Sequence, residues 1–339
     1  MKAQIAWLVA LLAAIPIPAG AQHRTFDLRE QTEEAEVIVV GGVISVRETG
    51  TTEVTIAGHT LPAKVLEAKV QVDRTLKGAN VPVQAAVRFA LPISPAGSVG
   101  YVGIAYPDYR IFLLKRAGDH FELANPYTPS LPAMPQASAS SSSDVLTAVV
   151  NELASVIESP HTPEIVKLGV AFRLGSTSSA AATEVLVRQL PTSNPALRAG
   201  VADALLQHNY VPALAVAQEL LMNSPATVPR YLLVNLSSAI GRYVKDERAI
   251  PSLHALLKAP DASSRRAAAL ALRNTASRQA LEALASALRD GDPEVRYYAV
   301  IGLAEITGQP EWRPLEEDFH ADQARYLSHW LQWAEEHDR

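Results

Sequence analysis

From Asp261 to Gly308 apolar side chains return at helical spacing: Ala267, Leu270 and Ala271, then Leu281, Leu284 and Leu288, then Val295, Ala299, Val300 and Leu303. That recurrence predicts helices joined by short turns. Asp261 and Asp292 stand where N-caps belong, and Pro293 follows at a first helical position. Earlier in the chain the period changes from helical to alternating. Val37 to Val40 is a continuous apolar run and predicts a buried strand, ending at the Gly41-Gly42 pair where a bulge or bend is expected. Val54 and Ile56 share one face between Glu53 and Ala57. Residues 64–74 alternate, with Leu66, Ala68, Val70 and Val72 against Glu67, Lys69, Gln71 and Asp73. A turn at Lys77-Gly78-Ala79-Asn80 leads to Val81, Val83, Ala85, Val87 and Phe89. Tyr109–Lys115 and His120–Ala124 form a hairpin around Ala117-Gly118-Asp119. Several short strands with turns between them predict a small antiparallel β-barrel or sandwich.

The helical half repeats. Lys167, Arg198, Arg230, Arg265 and Arg296 follow one another at 31, 32, 35 and 31 residues. Four residues after each stand Ala171, Ala202, Val234, Ala269 and Val300, and seven after stand Leu174, Leu205, Ser237, Leu272 and Leu303. Between them Ala182, Ala213, Ala249 and Ala280 are each followed eight residues later by Leu190, Leu221, Leu257 and Leu288. Two helices per unit and a period just above thirty are the mark of a solenoid.

These units resemble the HEAT-like repeat family, in the short form also seen in bilin lyases. The resemblance runs from Asp144 to Gly308 and is carried by Asp261–Arg265 and Asp292–Arg296, with Asn194, Pro195 and Arg198 at the same spacing. It implies a right-handed α-solenoid of helix pairs. It also implies that Asn194, Arg198, Asp261, Arg265, Asp292 and Arg296 form a structural ladder between neighbouring units. The Arg230 unit has Ala226 where the acid belongs. The strand segments VIVVGGVISV, AKVQVDRTLKG and YRIFLLKRAGDHFEL resemble an OB-like, netrin-type barrel of exported bacterial proteins. Metal binding through an N-terminal Cys, known among that group's eukaryotic relatives, does not carry over, because the chain has no Cys.

The flanks complete the layout. Lys2, the apolar run Ile5 to Ile17 and Ala19-Gly20-Ala21 read as a signal peptide over 1–21, cut between Ala21 and Gln22. The run is short for a membrane span and Pro16 and Pro18 interrupt it, so no stable anchor is expected after cleavage. Residues 22–36 form a polar lead-in and 37–125 the β domain. Pro and Ser dominate 126–143, which reads as a linker. The repeats occupy 144–308, and 309–339 reads as a cap in which Leu327, Trp330, Leu331 and Ala334 share a face and Trp330 and Trp333 cover the last helix pair. The expected location is the periplasm or the exterior.

Composition and charge narrow the function. Among 339 residues 48% are apolar, which permits a large core, and only 6% are aromatic, so Ala and Leu do the helix packing. The net charge of −5 comes without a basic stripe, and a nucleic-acid partner is not expected. The nine His form no H-E-x-x-H or H-x-x-x-H pair, no G-x-S-x-G occurs, and Asp290-Gly291-Asp292 lacks the other ligands of a calcium loop. Glu316-Glu317-Asp318 are adjacent, and on a helix such neighbours splay. No catalytic, cofactor or metal residue is expected. The reading is an exported, non-catalytic interaction or scaffold protein with an unidentified protein partner. Arg173, Asp203, Gln207, Arg242 and Arg273 on the second helices are its candidate concave binding surface. One alternative is an enzyme, by analogy with repeat-containing lyases. Another is a glycan- or peptide-binding β domain that uses Tyr101, Tyr106 and Tyr109 near Asp108.

Overall fold

The computed structural model describes residues 27–56, 59–93, 103–128, 130–135, 142–223 and 225–337. The segment 1–21 read as a signal peptide, Tyr101 and most of the serine run lie outside them. The chain divides into two compact units, the first ending at Glu152 and the second starting at Leu153. No helix among the described residues is long and apolar enough to cross a membrane.

In the first unit Asp27 caps helix α1, Leu28–Glu34, by accepting from the Arg29 amide at 2.7 Å. Within the polar lead-in this helix buries Leu28, Gln31 and Thr32. Strand β1, Val37–Ile56, runs antiparallel to β2, His59–Lys77. The segment around Val54 is therefore the end of one long strand, not a separate one. Alternation puts Val37, Val39 and Val43 of β1, and Ala68 and Val70 of β2, into one core. The pairing slips between Val40 and Gly41. A Cβ on Gly41 would collide with the Gln71 carbonyl oxygen, so only glycine allows the strands to approach there. Strand β3, Gln84–Pro92, pairs antiparallel with β2 and contributes Ala85, Val87 and Phe89 to that core. It begins later than the alternation suggests, and Val83 is exposed.

The hairpin of β4, Tyr109–Ala117, and β5, His120–Leu123, completes a ring of pairings. β4 pairs with the start of β1, from Val37 opposite Leu114 to Gly42 opposite Tyr109. β5 joins β3 in parallel at Val87–Phe121 and Arg88–Glu122. The antiparallel β-barrel or sandwich expected holds for every pairing but this parallel one. The sheet is mixed, and its β3–β5 closure is too short for a clean barrel. The linker is corrected: Ser130–Pro132 forms β6 on the edge of β4, and Leu131 is fully buried there. An apolar side chain with a core to enter ordered a segment whose composition reads as a spacer.

Helix α2, Val145–Glu158, starts at Asp144, whose carboxylate accepts from the Thr147 amide at 2.9 Å, and the unit boundary falls inside it. In the second unit α3, Glu164–Gly175, α5, Pro195–Gln207, α7, Arg230–Tyr243, α9, Ala262–Asn274, and α11, Pro293–Thr307, stack in succession as an inner row. The outer row is α4, Ala180–Gln189, α6, Ala213–Asn223, α8, Ile250–Leu256, and α10, Leu281–Ala287. This is the layered packing of a helical-repeat solenoid.

The N-caps of the inner row set the true register: Pro163, Asn194, Pro229, Asp261 and Asp292. The fourth residue of each inner helix is then Lys167, Arg198, Leu233, Arg265 and Arg296. The alignment on Arg230 was three residues early, because Arg230 opens its helix. The buried +4 positions become Ala171, Ala202, Ser237, Ala269 and Val300, and the +7 positions Leu174, Leu205, Ile240, Leu272 and Leu303. Val234, aligned with the core from sequence, is exposed. Ser237 is accommodated because its hydroxyl donates to the Leu233 carbonyl at 3.0 Å and lies 3.1 Å from the Ser264 hydroxyl of the next inner helix.

Gly308, at φ +74°, ends α11. Helices α12, Glu316–Ala321, and α13, Gln323–His337, follow. Trp330 is fully buried, with its indole N–H directed at the Trp312 carbonyl at 3.4 Å, and α13 packs on α10 and α11. Trp333 instead borders an open groove of about 500 Å³, with Arg278, Glu282, Gln309 and His337.

Candidate functional site

The inner row supplies the candidate surface. Arg173 on α3 is largely buried, and desolvation holds its guanidinium below the usual arginine range. Asp203 on α5 is also buried. Burial pushes its carboxyl up to about 6, against a 3.4 Å bond from Gln207 one turn on. Arg242 on α7 is exposed, its guanidinium 5.9 Å from the Tyr243 ring centroid. Arg273 on α9 donates to both Glu305 oxygens, at 2.6 and 2.8 Å, and Arg313 donates to the same carboxylate at 2.7 Å. Burial would raise the Glu305 carboxyl, but these two guanidinium contacts outweigh it and hold it below the carboxylate range. The five residues thus spread over four inner helices. The structure joins Asp203 to Gln207 and ties Arg273 into a network linking two repeats.

The same row also exposes apolar side chains. Ile165 in the first turn of α3 is 67% exposed, and Tyr231 and Val234 in the first two turns of α7 are 50% and 47% exposed. Ile165 and Tyr231 are each the second residue of their helix, so they occupy equivalent positions in their repeats.

The ladder residues lie at repeat junctions, with partners shifted from those the spacing suggests. Asn194 caps α5 by accepting from the Ala196 and Leu197 amides at 3.0 Å each. Arg198 makes a two-pronged pair with Glu219 on α6, both contacts at 2.8 Å. Asp261 accepts from the amide and hydroxyl of Ser263. Arg265 pairs with Asp290 at 2.8 and 3.1 Å, while its neighbour Arg266 pairs with Asp292 at 2.8 and 2.6 Å. Arg296 donates to the Asp290 carbonyl at 2.7 Å and to Gln323 at 2.6 Å. The inter-repeat link therefore uses two consecutive arginines and both aspartates of the Asp290-Gly291-Asp292 turn.

His208 has a structural post as well. Its Nε2 lies 3.1 Å from the Leu174 carbonyl and its Nδ1 2.9 Å from the Thr183 hydroxyl. A proton on Nε2 serves the Leu174 contact, and burial holds the ring's pKa below the usual histidine value.

In the first unit Tyr109 is half-buried and hydrogen-bonded. Its hydroxyl donates to Asp73 at 2.9 Å and lies beside Arg74, and burial followed by that bond pushes its pKa up to about 12. Tyr106 is exposed, so the aromatic group expected near Asp108 is reduced among the described residues to Tyr106.

One cluster was missed from the sequence. Donor atoms of Glu294 on α11 and of Glu316 and His320 on α12 all lie within 4.8 Å of one another. His320 Nε2 is 3.0 Å from a Glu294 oxygen. Glu316 does splay from Glu317, but it converges with a carboxylate of another helix. The legible half of this signal was the four-residue spacing from Glu316 to His320, which places both on one helix face.

The HEAT repeats family model matches residues 230–304 and again 250–334. The C-terminal half of the chain therefore carries HEAT repeats. Among solved structures, an engineered protein is similar at 19% identity, over 54% of this chain and 94% of that one, with a TM-score of 0.37. The complex of CpcE and CpcF of phycocyanin lyase from Nostoc sp. is similar at 19% identity over 55% and 82%, with a TM-score of 0.31. Human deoxyhypusine hydroxylase in complex with glycerol is similar at 15% identity over 56% and 74%, with a TM-score of 0.26. No curated protein sequence matches the chain.

Proposed function

We propose that this protein acts by binding another protein along the inner row of its HEAT repeats, without chemistry of its own, after export from the cytoplasm. The observation that carries the reading is the exposure of Ile165, Tyr231 and Val234 near the N-terminal ends of inner helices. A solenoid buries its repeats against one another, so large apolar groups left outside on one row favour a docking surface. Arg242 farther along α7, and Arg273 and Glu305 on the next two inner helices with Arg313 after them, supply polar groups. The apolar leader ending at Ala21 supports export. The ring of pairings β1-β2-β3-β5-β4-β1 supports an OB-like reading of the first unit.

The test is site-specific photocrosslinking in cells of the full chain. A photoreactive residue replaces Tyr231 or Val234, and a control replaces Glu282 on outer helix α10. The reading expects one partner captured at 231 and 234, absent at 282 and lost when Tyr231→Asp or Val234→Asp is introduced at the other position. Equal capture from the outer row, or none from either row, overturns it. N-terminal sequencing of the exported protein should begin at Gln22.

A further inference from the structure

Glu316 and His320 lie one turn apart on α12, and Glu294 reaches them from the first turn of α11. Two carboxylates and one imidazole thus meet within 4.8 Å, contributed by two helices. The imidazole offers at most one positive charge against two negative ones. The guanidiniums nearby are already engaged: Arg266 holds Asp292, and Arg273 and Arg313 both hold Glu305. Among the described residues no guanidinium is hydrogen-bonded to Glu294 or Glu316, so the cluster sets two carboxylates against one imidazole.

We propose that Glu294, Glu316 and His320 form a site for a divalent transition-metal ion of the zinc class. Zinc takes imidazole nitrogen and carboxylate oxygen at about 2.0–2.2 Å, so the donors of a tetrahedral site stand roughly 3.3–3.6 Å apart. The three donors here are within a small side-chain adjustment of that spacing, given 3.0 Å between His320 and Glu294. An imidazole donor selects against magnesium and calcium, which take oxygen. Phe319 is fully buried beside His320, and the Tyr297 ring stands 5.5 Å from Phe319 and 6.5 Å from His320, which fixes the ligand-bearing helix against α11. The Glu294 and His320 side chains remain 25% and 39% exposed, leaving a path for the ion and a fourth position for water. The ion joins α12, which has no side-chain N-cap, to the last repeat. Its role is to staple the cap.

The test uses the full-length protein stripped with EDTA. Titration with ZnCl2, followed by calorimetry and thermal melting, should show saturable binding and a rise in Tm of several degrees, and MgCl2 should produce neither. Glu294→Gln and His320→Ala should each weaken zinc binding at least tenfold and abolish the rise, whereas His161→Ala, an exposed histidine elsewhere, should change nothing. Co2+ supplied in place of zinc should give tetrahedral d–d absorption that Glu316→Gln removes, a readout independent of stability. Absence of zinc binding by the wild-type chain, unchanged affinity in the Glu294 and His320 variants, or cobalt absorption that survives in Glu316→Gln overturns the site.

Discussion

Arg74 grips Glu152 with two parallel bonds, Nε to Oε1 at 2.9 Å and Nη2 to Oε2 at 2.8 Å. Glu152 is 1% exposed and Arg74 13%. The Glu152 bonds outweigh desolvation and hold the Arg74 guanidinium above its usual value, and the remaining donors reach the Met134 carbonyl and Tyr109. A pair taken this far from water costs most when only one member is removed. Glu152→Gln or Arg74→Met should each destabilise the protein by about 3 kcal/mol, while Arg74→Met with Glu152→Leu should recover much of that loss. Urea unfolding of the four proteins, read as a double-mutant cycle, measures it. Additive losses would show that the two side chains do not act as a pair.

Asp203 should make stability fall as pH rises through the mildly acidic range. Its folded pKa of about 6 exceeds the ordinary 3.8, so between these values the unfolded chain has lost a proton that the folded chain keeps. The contribution is fully favourable below about pH 4 and lost above about pH 6, a change of roughly 3 kcal/mol at 1.36 kcal/mol per unit. Asp203→Asn keeps an acceptor for Gln207 and carries no charge. It should raise the urea midpoint at pH 7.5 and leave it almost unchanged at pH 4. Equal effects at both values would contradict the assignment.

The Ser237–Ser264 hydroxyl pair predicts a strongly non-additive cycle. Ser237→Ala strands the Ser264 hydroxyl in a buried position and should cost about 1–2 kcal/mol. The double alanine removes both polar groups where other inner helices carry Ala and Leu, and should approach wild-type stability or exceed it. Thermal unfolding of the three variants decides this.

Trp330→Ala should cost about 3–5 kcal/mol, because a fully buried indole leaves a cavity between α13 and the last repeat. The uncovered repeat face should then self-associate, visible as concentration-dependent elution in size-exclusion chromatography at temperatures where the chain stays helical. A variant that is destabilised yet elutes like wild type would separate packing from capping.

The helical half was readable because a buried position returns near every thirty residues and Ala or Leu fills it. Reading failed where a lookalike stood at the wrong place. Arg230 matched the arginine column, but Pro229 fixes the helix start and has no side-chain oxygen to advertise a cap. The true column there holds Leu233, Ser237 and Ile240. Asp261 and Asp292 were readable as caps from their own neighbours, whereas their arginine partners depend on how one repeat sits on the next. Likewise Glu316 and His320 share a visible spacing, but Glu294 comes from another helix and joins them only through folding. Leu131 shows the same limit in the sheet: a single apolar residue among prolines and serines becomes a strand because the β4 edge is available to it.

Asp292 accepts from the Glu294 and Val295 amides that open α11, and its carboxylate is at the same time held by Arg266 of the preceding repeat. One group thus nucleates a unit and welds it to its neighbour. At this junction the energy of a unit and the energy of its coupling cannot vary independently, so a nearest-neighbour description with separate terms for each will fail there. Fraying that enters from the tail should pass Asp292 in a single step and release both flanking units together.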